Sequence, residues 1–205
     1  MRIRVAVALY EGDPPALAVR WPACQRPAMQ VTLIAVQSLD GCITRHGMPG
    51  AGFASGADQA HFRAALRQFD CSVMGRATYE TLHQNGTLPP APGRRRIVLT
   101  RSPERFIAGD RRGLDGPEFS AAAPAEIVAR LRADGHRACA VLGGGQIHSL
   151  FLEAGLVDEL WLTIEPRLFG GGTRLIAGPA DVRLRLQSHE LLGEDVLLLK
   201  YAVVR

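Results

Sequence analysis

Two carboxylates, Asp40 and Asp58, stand where this sequence could do proton chemistry. Asp40 lies in Ser38-Leu39-Asp40-Gly41, at the end of the apolar run 31–37. Asp58 lies in Ser55-Gly56-Ala57-Asp58, ahead of Phe62, Leu66 and Phe69 at helical spacing. A carboxyl beside a reacting group can favour that group's protonated form or relay a proton through water. Each also has a plainer reading: Asp40-Gly41 as a turn, and Asp58 as the last residue of a capping box with Asp in place of Glu. His61 reads more simply as a surface or helix-packing histidine than as an acid.

A second set of residues suits anions. Val141-Leu142-Gly143-Gly144-Gly145-Gln146-Ile147 is an apolar strand breaking into glycines and resuming with helical spacing. Gly75-Arg76-Ala77-Thr78 repeats the strand, glycine, helix order with an arginine and a hydroxyl, and Thr100-Arg101-Ser102 is another polar strand end. Helix N-termini offer free N–H groups and a positive dipole end to phosphate, and glycine lets the backbone come close. Three such turns in succession suggest an extended phosphate-bearing ligand such as a dinucleotide. The G-x-G-x-x-G fingerprint is missing, which argues against a Rossmann domain.

These residues need a scaffold, and the hydrophobic pattern supplies one. Apolar runs predict strands at 31–37, 71–74, 97–99, 118–120 and 138–142, with helices after Ser55, after Gly75, over 124–133 and from Ile147. Alternation over 158–165 predicts a strand, Gly170-Gly171-Gly172 a turn, and 184–191 with 196–203 a closing antiparallel pair. The order βαβαβ(β)αβα followed by three strands implies an α/β sandwich with a mostly parallel sheet and an antiparallel C-terminal hairpin. Right-handed crossovers then bring the polar strand ends to one side of the sheet. A glycine-rich loop after Ile43 (Gly47, Gly50, Gly52) is placed to act as a lid.

Composition bounds the rest. With 205 residues, 47% of them apolar, the chain is long enough for one domain with an ordinary core, taken here as residues 29–205. Residues 1–28, with one possible strand at 3–9 and several prolines, read as an irregular extension. The net charge of +4 is nearly all arginine, Lys200 being the only lysine, and acids are interleaved; this favours a solvated surface over a nucleic-acid patch. Cys24, Cys42, Cys71 and Cys139 are widely spaced, which argues against a zinc site or a disulfide framework and suits a reducing cytoplasm. No apolar run approaches the ~18 residues of a membrane span.

Taken together, VTLIAVQSLDGCI, MGRATYETL, VLTRS and VLGGGQI resemble, in order, the cofactor segments of the dihydrofolate-reductase superfamily. SLDG and the run GGGQIHSLFLEAGLVDELWLTIEPRLFGGGTRL are closer to its riboflavin-pathway reductase branch, and the resemblance spans about residues 30–204. It implies a dihydrofolate-reductase-like three-layer α/β/α sandwich, NADPH as cofactor, a small-molecule substrate and a homodimer; the exposed closing hairpin also suggests the dimer. By that resemblance Gly75, Arg76 and Thr78 take cofactor phosphates, Arg76 reading the 2′-phosphate, and Thr100 and Arg101 flank the adenosine end. Gly143 and Gly144 hold the pyrophosphate, often through a cis Gly–Gly peptide, with Gly145, Gln146 and Ile147 continuing at the helix start. Backbone groups of Val36 and Ile43 bind the nicotinamide carboxamide. Ser38, Asp40 and Ser55 match the substrate side, while Asp58 and Phe62 fall where dihydrofolate reductases place a pocket carboxylate and a stacking aromatic.

The expected activity is therefore NADPH-dependent reduction of a ribosylamine imine, as by 5-amino-6-(5-phosphoribosylamino)uracil reductase, with Asp40 and Asp58 as candidate catalytic groups. The alternatives are a dihydrofolate or pterin reductase and a nucleotide-binding protein without catalysis. Three departures bear on the substrate. Cys42 stands where the riboflavin branch has lysine, Leu142 where it has an acid, and residues 81–92 carry no D-x-P-x-L-x-x-R segment.

Overall fold

The computed structural model describes residues 29–84, 93–107 and 116–205. The expected extension 1–28, with its strand and Cys24, and the proline loop at 89–92 lie outside the described residues.

Strand β1 (Gln30–Ser38) opens an eight-stranded sheet. It is followed by α1 (Gly56–Leu66), β2 (Cys71–Gly75), α2 (Arg76–Gln84), β3 (Arg95–Leu99), a short α3 (Glu104–Ile107) and β4 (Glu118–Ser120). Next come α4 (Pro124–Ala133), β5 (Ala138–Val141), α5 (Gly145–Glu153), β6 (Glu159–Glu165), β7 (Arg183–Leu191) and β8 (Leu197–Val204). The spatial order is β4-β3-β2-β5-β1-β6-β8-β7. Pairs from β4 to β6 are parallel, and β8 pairs antiparallel with both β6 and β7. This is the expected architecture, with one helix, α3, that the hydrophobic pattern did not announce.

Right-handed crossovers decide which face each helix covers. The chain moves one way across the sheet from β1 to β2 to β3, and the other way from β4 through β5 to β6, so the two helix pairs take opposite faces. The core shows this division. Val31, Leu33, Val73, Val141, Leu160 and Leu162 pack with Ile127, Val128 and Leu131 of α4 and Ile147 and Phe151 of α5. On the other face Ile34, Ala140 and Trp161 pack with Ala65 and Leu66 of α1, and Met74 and Val98 with Tyr79 of α2. Period-two alternation along β6 sends Leu160 and Leu162 to the first face and Trp161, Thr163 and Glu165 to the second.

That alternation creates an anomaly. Thr163 and Glu165 are 3% and 2% exposed, on the face covered by α1. Buried polar groups require partners, and theirs define the site.

Candidate functional site

The sheet has a notch at one end. Strand β5 pairs with β1 only as far as Leu33↔Val141, whereas β6 follows β1 through Val36↔Thr163 to Ser38↔Glu165. From Ile34 onward β1 therefore has β6 alone beside it, and the Gly143 turn borders the gap. Helix α1 leaves β1 for one face and α5 leaves β5 for the other. Open α/β sheets bind ligands at such a divergence, outside the C-terminal strand ends.

One wall is built from two glycine turns. The Gly75 amide donates to the Gly143 carbonyl at 2.7 Å, and a β-carbon on Gly75 would lie 2.9 Å from Ile147 Cγ1. Only glycine allows the start of α2 to lie this close to the start of α5. Thr78 Oγ1 lies 3.6 Å from where a β-carbon on Gly144 would sit, and the Gly143–Gly144 peptide is cis, the form the resemblance raised. Helix α5 starts at N-cap Gly144 with no side-chain cap, and α2 has no acid in its first turn, so neither N-terminus is neutralised by its own residues. Gln146 is exposed beside this turn. Arg76 is exposed and paired with Glu80 one turn on, at 2.7 Å. Thr100 is tied to β4 through Ser120 O and accepts the Ser102 amide, with Arg101 exposed beside it.

His148, which the sequence reading passed over, is buried in this wall. Its Nδ1 lies 2.8 Å from the Leu175 carbonyl, which only accepts, so Nδ1 carries the proton. The opposite nitrogen, Nε2, is buried without a partner among the described residues, 3.0 Å from the β-carbon position of Gly143. Burial pushes the imidazole down to about 4, so it is a neutral acceptor at the base of the glycine turn.

The opposite wall carries the carboxylates. Ser55 caps α1, its hydroxyl accepting the Asp58 amide at 3.2 Å. In a full capping box the Asp58 carboxyl would return to the Ser55 amide. Here Glu165 Oε1 takes that amide at 2.7 Å. Asp58, 6% exposed, is thereby released from the cap and hydrogen-bonds Thr163 instead. Burial pushes its carboxyl up, the Thr163 bond opposes this, and the charge of Glu165 adds to the rise. Phe62 is half-buried one turn along the same helix, against the cluster containing Ile34 and Trp161. His61 is also partly buried there, pushed down by burial.

Ser38 and Asp40 come together, but as a brace. The Ser38 hydroxyl is fully buried, donates to Asp40 Oδ1 at 2.5 Å and accepts the Cys42 amide at 3.0 Å. The Asp40 oxygens also accept the Phe169 and Gly170 amides, and these bonds, Ser38 first, hold its carboxyl down to about 2. The loop after β1 is clasped to the loop after β6: Ile43 N donates to Thr173 O at 2.8 Å, Thr173 N to Thr44 Oγ1 at 2.8 Å, and Arg174 to Asp40 O. The Ile43 amide is thus engaged by the clasp.

Sequence reasoning thus marked Asp58 but missed Thr163 and Glu165. A threonine and a glutamate on the inward period of a buried strand were the available signal.

Comparison with known proteins agrees with this geometry. The family model of the RibD C-terminal domain matches residues 29–198. A search of curated proteins finds no match. Among solved structures, a protein assigned to riboflavin biosynthesis from Shewanella sp. PV-4 is similar with TM-score 0.69 and 23% identity, over 86% of this chain and all of that one. The diaminohydroxyphosphoribosylaminopyrimidine deaminase/5-amino-6-(5-phosphoribosylamino)uracil reductase of Thermotoga maritima is similar with TM-score 0.63 and 15% identity, over 86% of this chain and 57% of that one. Dihydrofolate reductase from Enterococcus faecalis, complexed with NADP(H), is similar with TM-score 0.57 and 22% identity, over 86% and 96% of the two chains. At these identities the structural likeness establishes the dihydrofolate-reductase-like fold.

Proposed function

Since the chain belongs to the RibD C-terminal domain family, we propose that it is an NADPH-dependent reductase of a C=N substrate of the pyrimidine phosphoribosylamine class. Asp58 carries the reading. A buried carboxyl, released from its helix cap by Glu165 and held by Thr163, stands on the other wall of the sheet notch from the uncapped N-terminus of α5. A structural cap would not need that release.

The residues of the first wall fit the cofactor. The α5 N-terminus, without a side-chain cap, and the α2 N-terminus, without an acid in its first turn, suit phosphates. Arg76 and Thr78 would hold phosphates, Thr100 and Arg101 the adenosine end, Gly143 to Ile147 the pyrophosphate, and Val36 and Ile43 the carboxamide. When bound, NADPH supplies a hydride. The chain's part is alignment and charge. Asp58, pushed up by burial, stays protonated to higher pH than an ordinary carboxyl and offers its proton, directly or through water, to the substrate nitrogen. Asp40 stays ionised and acts as a positioning residue, fixing the turn that borders the substrate.

A second reading, reduction of a dihydropterin, is favoured by Asp58 and Phe62 sharing one helix face. Oxidation of NADPH with each substrate class separates the two, and absence of turnover with both would leave a nucleotide-binding protein.

The cofactor test is binding. Wild type should quench NADPH fluorescence with a clear preference over NADH. Arg76→Ala should lose about tenfold or more for NADPH and little for NADH, the scale of a lost charged hydrogen bond. Equal affinity for the two nucleotides in wild type would remove Arg76 as the 2′-phosphate reader, and binding of neither would remove the enzyme reading.

A further inference from the structure

The end of the sheet away from the notch holds a second cluster of reactive side chains. Among the described residues, Asp70, Cys71 and His136 place a carboxylate oxygen, a thiol sulfur and an imidazole nitrogen within 4.8 Å of one another. Asp70 and Cys71 stand at the start of β2, and His136 just before β5, the parallel neighbour of β2. The wide spacing of the cysteines argued against a zinc site. The fold instead joins one cysteine to an acid and to a histidine from far along the chain.

The backbone holds each of the three in place. Helix α4 gives way to Gly135 at φ +85°, and the His136 amide returns to the Leu131 carbonyl at 3.0 Å. Asp70 accepts the Arg137 amide at 2.7 Å on one oxygen and the Ala138 amide at 3.3 Å on the other. A carboxylate has about four acceptor sites, so these two bonds leave it room for a further partner. Cys71, 1% exposed, forms the floor beside Cys139, its registered partner on β5. Its sulfur lies 3.6 Å from the Ala138 carbonyl, which also accepts the Asp70 amide at 3.1 Å. That carbonyl therefore keeps a donor when the thiol is withdrawn. The His136 and Asp70 side chains are 19% and 40% exposed, which opens the cluster to solvent on their side.

The spacing of His136 and Asp70 suits two ligands of one ion better than a hydrogen bond. Nδ1 and Oδ1 stand 3.4 Å apart, beyond the roughly 2.7–3.2 Å of an N–H···O bond. Zinc holds nitrogen and oxygen ligands at about 2.0–2.2 Å in a tetrahedron, which sets them about 3.4 Å from each other. We propose that Asp70, Cys71 and His136 bind a zinc ion, with water in the fourth position, and that the ion ties the end of α4 to the starts of β2 and β5. A sulfur, nitrogen and oxygen donor set suits borderline-soft zinc, whereas magnesium and calcium take oxygen ligands. The Cys139 bond and burial push the Cys71 thiol up, so it carries its proton until the ion arrives. Binding converts the thiol to a thiolate and releases that proton to solvent.

The test uses the full chain after dialysis against a chelator. By calorimetry zinc should bind one to one and raise the melting temperature, and magnesium should do neither. Cobalt in place of zinc should give a thiolate-to-metal charge-transfer band in the near ultraviolet, lost in Cys71→Ala. His136→Gln should weaken zinc about tenfold or more, at least the cost of disturbing a ligand's own partner. Metal-free melts show whether each variant folds, and His136→Gln changes a side chain that is partly exposed. Failure of zinc to saturate the wild type overturns the proposal. So does zinc affinity unchanged in both variants, or a cobalt complex without the thiolate band. The cluster lies at the opposite strand ends from the notch, so its loss would leave the reductase reading as it stands.

Discussion

At Asp58 stability and activity pull in opposite directions. Its carboxyl is pushed above its ordinary 3.8 chiefly by burial. Between 3.8 and the raised value the native chain holds more protons than the unfolded one, so this residue's contribution to stability falls as pH rises through that window. Above it the burial penalty on the charged form is present in full. Asp58→Asn removes the penalty, so at neutral pH the variant should melt higher than wild type, and the difference should shrink on acidification. Turnover should drop about 10²-fold or more, and the loss of wild-type kcat/KM with rising pH should vanish in the variant. A variant that melts lower at neutral pH and keeps its rate would return Asp58 to a helix cap. The sequence marked this residue without deciding between those roles, because Ser55 and Asp58 satisfy a capping pattern on their own. The deciding partner, Glu165, is 110 residues from Ser55 along the chain. His148 was illegible for a related reason: its meaning comes from the Leu175 carbonyl and Gly143, neither a helical neighbour.

Among elements, strands and helices were read closely, since each is governed by local periodicity. The strand at 118–120 and the helix at 124–133 fall where expected. The contact between the two loops could not be read this way. Gly170-Gly171-Gly172 looked like a turn, yet Gly172 is where the loop after β6 meets the loop after β1. At φ +149° its β-carbon position is 2.1 Å from Thr44 O. No rotamer change relieves a clash with a backbone carbonyl. Gly172→Ala should therefore destabilise the protein by about 2 kcal/mol, the range of strained backbone. Gly171→Ala is the control, because its β-carbon meets nothing within 4 Å. Thermal melts of the two variants check this; equal melting temperatures would mean that the clasp gives way without penalty.

For the molecule as a whole, the two edges of the sheet differ. At one edge β4 is only three residues long, and Glu118 there pairs with Arg95 and Arg130 while Arg95 also reaches Asp134. Short, charged edges resist pairing with another chain. At the other edge β7 runs for nine residues, all exposed, with Leu184, Leu186 and Leu191 at 37%, 48% and 62% exposure. Among the described residues β7 buries neither face, and it gains little from them beyond its hydrogen bonds to β8. The register shift between Leu186 and Ser188 and the flanking arginines temper the edge without closing it. We therefore propose that β7 is covered by a second copy of the chain, giving a two-fold dimer in which Leu184 and Leu186 are shielded. Light scattering at micromolar concentration should give twice the 22.1 kDa chain mass. The double substitution Leu184→Glu, Leu186→Glu should return the mass to one chain while leaving NADPH binding intact, because β7 lies two strands beyond β6 and the notch. A wild-type mass of one chain would overturn the dimer. A dimer unchanged by the two glutamates would move its interface away from β7.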